Sequence, residues 1–261
     1  MIYLWVSLGI VGGVALIWAF VYFNNGVIGV TRYTQELGLE REVKIVHLSD
    51  LHGKAFGYKN ARLIKKVAAE KPDFIVFTGD IIHKYRDNDK RVAVELVSAL
   101  CGIAPVIYAS GNHEMRGVKY SFLRKELMDA GATVLDDCSA EICGVTVTGL
   151  NCASLKNGTA KRIAPPEAHK TILLAHMPHL MKNYADAGYG LVLSGHAHGG
   201  QWRIPFTGKG LYAPGQGIFP KLTQGRHISG KATMIISRGL GNSEFPLRLF
   251  NRPEVVALTV K

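Results

Sequence analysis

The residues with chemical potential fall into five short clusters: Asp50-Leu51-His52, Gly79-Asp80, Gly111-Asn112-His113-Glu114, His176, and Gly195-His196-Ala197-His198. Asp carboxylates and His imidazoles are common ligands for divalent cations, and Asn offers an amide oxygen. Taken singly, each cluster is an ordinary turn or surface pattern. In order, each after a short apolar run, they are expected to converge at one edge of a sheet and hold two cations. A positive centre of that kind serves hydrolysis of a phosphate ester.

The positioning elements are legible as alternating strand and helix patterns. Strands are expected at Val43–Ser49, Asp73–Thr78 and Pro105–Ala109, with helices at Asn60–Glu70, Arg91–Leu100 and Val118–Ala130 between or after them. That rhythm indicates βαβ units with right-handed crossovers. A second set of strands follows at Thr133–Leu135, Glu141–Leu150, Thr171–Leu174, Leu191–Leu193, Met234–Ser237 and Val255–Val260. The expected fold is α/β, two packed sheets flanked by helices. Asp50 and His52 are expected to share a face because residues i and i+2 of an extended chain point the same way, and His196 and His198 likewise. Gly195, Gly199 and Gly200 are expected to let the backbone turn there. Pro205–Gly230 is rich in Gly and Pro and reads as a long functional loop.

The N-terminal stretch Ile2–Phe23 carries no charge, and Ser7 is its one clearly polar side chain. About 20 apolar residues suffice to cross a bilayer as a helix. Tyr3, Trp5, Trp18 and Tyr22 sit near its ends, as interfacial aromatics do. No Lys or Arg precedes it, unlike a secretory signal. The division expected is an anchor over residues 1–25, a linker over 26–42 containing Gly26, Gly29 and Gly38, and a catalytic domain over 43–261. Arg32, Arg41 and Lys44 follow the span, which places the domain on the cytoplasmic face of a plasma or inner membrane.

The remaining chain, roughly 220 residues, can bury one large core. Lys and Arg number 31 against 20 Asp and Glu, a formal net charge of +11. That balance favours anionic partners such as phosphorylated substrates or lipid head groups. No basic run is long enough for a nucleic-acid arm, and no specific nucleic-acid partner is expected. Cys101, Cys138, Cys143 and Cys152 form no C-x-x-C pair and are expected as free thiols. Cys138 and Cys143 flank an expected hairpin across which they could meet.

The ordered blocks D-x-H, GD, GNH[DE], H and GHxH resemble the calcineurin-like metallophosphoesterase superfamily. The words DLHG and GHAHGGQ, the single span, Arg238-Gly239-Leu240-Gly241 and Pro253-Glu254 are similar to its YaeI/YkuE-type phosphodiesterase subgroup. The resemblance implies that Asp50, His52 and His198 hold one divalent ion, and that Asn112, His176 and His196 hold another. Asp80 would bridge them, and His113 would donate the proton to the leaving group. The ions would be Mn, Fe, Zn or Co, with hydroxide between them attacking phosphorus. Some branches place an acidic residue three positions after the bridging Asp to orient the proton donor; here that position is His83. Glu114 is expected behind the ligands, and His47, His169, His179 and His227 are expected as structural or exposed.

The implied function is membrane-anchored cleavage of a phosphodiester or pyrophosphate, with a nucleotide-linked lipid such as UDP-diacylglucosamine as one candidate substrate. The rivals are a general envelope phosphodiesterase or phosphomonoesterase and a non-catalytic metal-binding scaffold.

Overall fold

The computed structural model describes residues 1–261 except 84–86, 116–118 and 244, and the side chains of 155–157. Two six-stranded sheets face each other. The first contains β1 (Gly29–Gln35), β2 (Val43–Leu48), β3 (Phe74–Thr78), β4 (Val106–Ala109), β5 (Thr133–Val134) and β14 (Glu254–Val260), in the order β1-β14-β2-β3-β4-β5. The second contains β6 (Cys138–Ile142), β7 (Val145–Gly149), β8 (Ile172–Leu174), β9 (Leu191–Ser194), β12 (Gly225–Ser229) and β13 (Ala232–Ile236), in the order β12-β13-β9-β8-β7-β6. A small hairpin, β10 (Tyr212–Ala213) and β11 (Gly217–Ile218), stands apart.

Period-two alternation divides the core. Phe74 and Val76 of β3 face the space between the sheets, where they meet residues such as Ile172, Leu174, Leu191 and Leu193. Ile75 and Phe77 face outward against the helices. Those helices are α2 (Ala61–Ala69), α3 (Asp87–Cys101) and α4 (Tyr120–Asp129). Each buries one stripe at helical spacing: Leu63 and Val67; Val92, Leu96 and Leu100; Leu123 and Leu127. The outer face of the second sheet, with Leu173, Val192 and Met234, is covered by α5 (Thr159–Arg162), α6 (Met181–Asp186) and short turns. Core strands buried on both faces carry continuous apolar runs, which is why β2, β3, β4 and β9 stand out in the sequence.

The first helix, α1 (Ile2–Gly26), is long and apolar enough to cross a membrane. Its apolar side chains are largely exposed, and Asn24 at its end is buried. At about 1.5 Å per residue its length exceeds the roughly 30 Å hydrocarbon core of a bilayer.

Four expectations change. Thr133–Val134 and Glu254–Val260, expected among the second set of strands, lie in the first sheet as β5 and β14. The stretch 26–42 is more than a connector, because it contains β1, which pairs in parallel with β14 from Gly29↔Glu254 to Gln35↔Val260. The Pro205–Gly230 stretch holds β10, β11 and the whole of β12. Cys138 and Cys143 flank strand β6 rather than the hairpin. Cys138 opposes Gly149, while Cys143 sits in the turn beside Gly144, so a strand's length separates the two thiols, and none of the four cysteines is in a disulfide. The fourth helix is described from Tyr120; Val118, its expected start, lies outside the described residues.

Candidate metal centre

Five parallel strands end along one edge of the two sheets: β2, β3 and β4 of the first, β8 and β9 of the second. Asp50 and His52 follow β2, Asp80 follows β3, and Asn112 and His113 follow β4. His176 follows β8, and His196 and His198 follow β9. The C-terminal strand edge is where open α/β sheets place their ligands. All seven expected metal ligands and His113 come together there.

The local backbone is not the extended chain expected for the D-x-H and H-x-H pairs. Asp50, His52, Asp80, His196 and His198 all have positive φ, between 47° and 67°. Left-handed non-glycine residues cost roughly 1–3 kcal/mol each and gather at functional sites where the surroundings over-determine them. Main-chain bonds do this here. The Asp50 N–H donates to Gly79 O and the His52 N–H to Asp80 O, both at 3.0 Å, so the first loop is laced to the second. Gly195 matters for space rather than for turning: a Cβ there would run into Ser49 Oγ and the Asp50 carboxylate. Gly199 and Gly200 do turn, with φ of 63° and 82°.

Two donor sets result. In the first, His52 Nε2 lies 3.1 Å from His198 Nε2, and Asp50 Oδ1 lies 3.3 Å from His198 Nε2 and 4.0 Å from His52 Nε2. In the second, His176 Nε2 lies 3.2 Å from each of Asn112 Oδ1, His196 Nδ1 and Asp80 Oδ2. Nitrogen and oxygen ligands about 2.1 Å from one ion are separated from each other by roughly 3.0 Å when adjacent and up to about 4.2 Å when opposite, so both sets fit a divalent cation. Asp80 stands between them, its Oδ2 3.8 Å from His52 Nε2. Its other oxygen accepts the His113 N–H at 2.8 Å, which fixes the carboxylate's orientation.

Partners behind the ligands set their chemistry. His176 Nδ1–H donates to Thr78 O at 2.6 Å, leaving the Nε2 lone pair facing the second set. The His196 N–H donates to both Asp50 oxygens, at 3.1 and 3.0 Å. Glu114 Oε2 accepts from the N–H groups of Asp80 and Gly111 at 2.8 and 2.7 Å, and Oε1 from Ile82 at 3.3 Å. Glu114 therefore ties the β3 loop to the β4 loop.

Without a cation the charges are strained. Burial is the largest influence on Asp50 and, with the Asp80 charge, raises it to about 6 despite His176. Burial also opposes ionisation of Asp80, but His176, His52 and His113 together hold that carboxyl well below its usual range. Burial disfavours charge on His176 too, yet Asp80 and Asp50 raise it to about 10. Burial pushes His52 and His196 down to about 3 and His198 well below its ordinary value. His52, His196 and His198 are thus neutral imidazoles facing two carboxylates, a donor set that a cation would complete, and at His176 the cation would take the place of a proton.

His83, His179, Arg248 and Asn251 also belong to the neighbourhood. The His83 ring stands 4.9 Å from His113 and 5.3 Å from His52, and the His179 ring 6.0 Å from His196. His52, His83 and His113 form a third close set of donors. It has no carboxylate and shares His52 with the first, so the two cannot be filled together. The His83 carbonyl receives His113 Nδ1–H at 2.7 Å, in place of the acidic partner found in some branches. Arg248 is fully buried, donates to Gly241 O and Arg238 O, and reaches His198 Nδ1 at 3.5 Å. Asn251 Nδ2 donates to His198 O and Gln201 O. His47 lies outside the site, buried, with Nε2 2.8 Å from Thr78 Oγ1. A cavity of about 170 Å³ opens over the centre, lined by Asp80, Asn112, His113, His196, His198, Tyr212, Pro214 and Ser243.

Residues 43–200 match the calcineurin-like phosphoesterase family. The chain belongs to that family. It is 30% identical over 230 residues to the uncharacterized metallophosphoesterase YkuE of Bacillus subtilis, covering 84% of this chain and 79% of that one. It is 30% identical over 225 residues to the phosphodiesterase YaeI of Escherichia coli, covering 82% and 81%. An uncharacterized metallophosphoesterase of Aquifex aeolicus is 29% identical over 276 residues, covering 94% and 97%. As a calcineurin-like phosphoesterase the chain is a phosphoester hydrolase, and its His and Asp clusters are of the kind that holds divalent metal.

Proposed function

We propose that this calcineurin-like phosphoesterase is a membrane-anchored phosphohydrolase with two divalent cations, cleaving a phosphodiester or pyrophosphate. Asp50, His52 and His198 would hold one cation, Asn112, His176 and His196 the other, with Asp80 shared. The observation that carries this is His176 Nε2, 3.2 Å from three further donors beside the Asp50–His52–His198 triangle. Cations there would supply positive charge to the phosphoryl oxygens and lower the pKa of a water at neutral pH.

The chain's own groups do the rest. His113 keeps Nδ1–H on the His83 carbonyl, so its Nε2, 3.9 Å from Asp80 Oδ2, is the nitrogen that, carrying the second proton of the imidazolium, would give that proton to the leaving oxygen and be left as a neutral ring. Asp80 is held by the His113 N–H and, at its own N–H, by Glu114. Tyr212, Pro214 and Ser243 line the cavity over the centre and would meet the substrate there.

α1 supports anchoring, and Arg32, Arg41 and Lys44 after it favour a catalytic domain on the cytoplasmic face. An anchored site favours a substrate borne by lipid, and a nucleotide-linked lipid such as UDP-diacylglucosamine carries the required pyrophosphate. The test is a panel on the metal-loaded full chain: diesters, monoesters, nucleotide pyrophosphates and UDP-linked lipid in micelles. Diesters or pyrophosphates should be turned over fastest, the micellar lipid ahead of soluble nucleotides. Preference for monoesters would overturn the bond assignment, and equal rates for micellar and soluble substrates would overturn the lipid assignment.

A further inference from the structure

The described residues of the segment 242–251, all but 244, run from the mouth of the metal site to the foot of α1. At the mouth, Ser243 lines the cavity, and its neighbour Asn242 accepts a bond from Lys54 Nζ at 3.3 Å. Lys54 Nζ also donates to Asn25 O at 2.7 Å, in the last turn of α1. At the other end, the Arg248 N–H donates to Asn25 Oδ1 at 2.8 Å, and the Asn251 N–H to Asn24 Oδ1 at 3.2 Å. The helix is thus seated on the domain, through Lys54 at the Asn242 end of this segment and directly at the Arg248 and Asn251 end, and is not a loose tether.

Between those ends the segment presents apolar side chains outward. Phe245 is 37% exposed, Leu247 41% and Phe250 51%. Trp202 joins them, 36% exposed, its ring 5.4 Å from Phe245 and its Nε1–H bonded to Leu247 O at 3.0 Å. Single exposed apolar residues are ordinary, but a contiguous patch marks an interaction surface. This patch is continuous with α1: the Phe250 ring packs edge-on against Phe20 at 5.1 Å. Phe20 lies near the C-terminal end of the apolar span, so with α1 across a bilayer Phe250 would stand at the depth where the span leaves the hydrocarbon. Around the helix foot, Arg62 NH1 donates to Tyr22 OH at 2.9 Å, and the Arg252 guanidinium lies 4.5 Å from the centre of the Phe23 ring. Lys65 and Lys66 line the same cleft as Arg62 and Tyr22. Apolar side chains beside a basic rim match a leaflet with anionic head groups.

We propose that Trp202, Phe245, Leu247 and Phe250 dip into the bilayer interface beside α1 and hold the mouth of the metal site at head-group level. A lipid-borne phosphodiester then reaches the site without leaving the leaflet. This rests on the anchored reading above and adds a second, specific membrane contact to it.

Tryptophan quenching in reconstituted bilayers tests both separately. The chain has three tryptophans, so Trp5→Phe with Trp18→Phe leaves Trp202 as the sole reporter. In vesicles of phosphatidylcholine and phosphatidylglycerol with brominated acyl chains, most Trp202 emission should be lost relative to unbrominated vesicles. Trp202 emission insensitive to bromine and open to aqueous acrylamide would overturn the proposal. The companion Trp202→Phe chain reports the helix alone. Quenching there without quenching of Trp202 removes only the footprint, whereas none in either chain removes the anchor and the footprint together. In a second experiment, Phe245→Ser, Leu247→Ser and Phe250→Ser are combined. Turnover of a dialkylglycerol p-nitrophenyl phosphodiester in vesicles should fall about tenfold or more, with soluble bis-p-nitrophenyl phosphate held within about twofold. Equal losses on both substrates, or no loss on the vesicle substrate, would overturn it.

Discussion

The Nδ1–H of His113 donates to the main-chain carbonyl of His83 across 2.7 Å, which leaves Nε2 of His113 as its exchangeable nitrogen. A carbonyl cannot ionise, so it fixes the ring without adding a charge. In the proposed mechanism His113 would then act on the leaving oxygen alone. His113→Ala should keep its metal content while turnover of alkyl diesters falls by about 10²–10⁴. Nitrophenyl diesters, whose leaving group needs no proton, should lose far less. Comparing the two leaving groups in one preparation checks this, and equal losses would contradict the assignment.

Gly195 leaves room for the Asp50 carboxylate, which a Cβ would strike. Gly195→Ala should displace Asp50 from His198 and empty the first donor set. Elemental analysis should find less metal per chain with circular dichroism unchanged, and nitrophenyl diester turnover should drop by about 10² or more. Full metal content with full activity would contradict it.

His47 makes stability depend on acid. Burial lowers it to about 3 from an ordinary value of 6.5. Between those values the unfolded chain binds a proton that the folded chain refuses, so stability falls as pH drops from about 6.5 towards 3. The slope from one such proton is about 1.4 kcal/mol per pH unit. His47→Gln keeps a partner for Thr78 without titrating. Urea unfolding across that window should show its slope reduced by one proton relative to the parent chain; an unchanged slope would contradict the assignment.

Much of this was legible in the sequence. β3 is a continuous apolar run because both its faces are buried, and the ligand blocks follow strands whose ends define the site. β1 was not legible: it reads Gly29-Val-Thr-Arg-Tyr-Thr-Gln35, an edge strand with only partial burial, and its partner β14 lies over 200 residues away. The left-handed backbone at Asp50 and His198 escaped because i, i+2 spacing fits extended and turned chain alike. Arg248 and Asn251 escaped because neither belongs to a pattern; only the fold brings them to His198. The His83 carbonyl escaped because any residue at that position could supply it.

Arg248 is buried with its charge directed at main-chain carbonyls of Gly241 and Arg238. Burial lowers it to about 10, with the nearby Asp50 charge opposing the fall, so it remains a cation at neutral pH. Arg248→Met removes the donors and leaves those carbonyls unpaired. The expected loss is about 3 kcal/mol or more in urea unfolding of the metal-free chain. A loss under about 1 kcal/mol would show that the carbonyls find other donors.

The most direct measurement is metal stoichiometry against turnover on the purified full chain. Samples stripped by chelator and titrated with Mn, Fe, Zn or Co should be inactive on bis-p-nitrophenyl phosphate when metal-free. Activity should rise to its plateau at about two cations per chain. A stripped chain that hydrolyses the diester at the full rate, or a plateau reached at one cation, would contradict the paired centre.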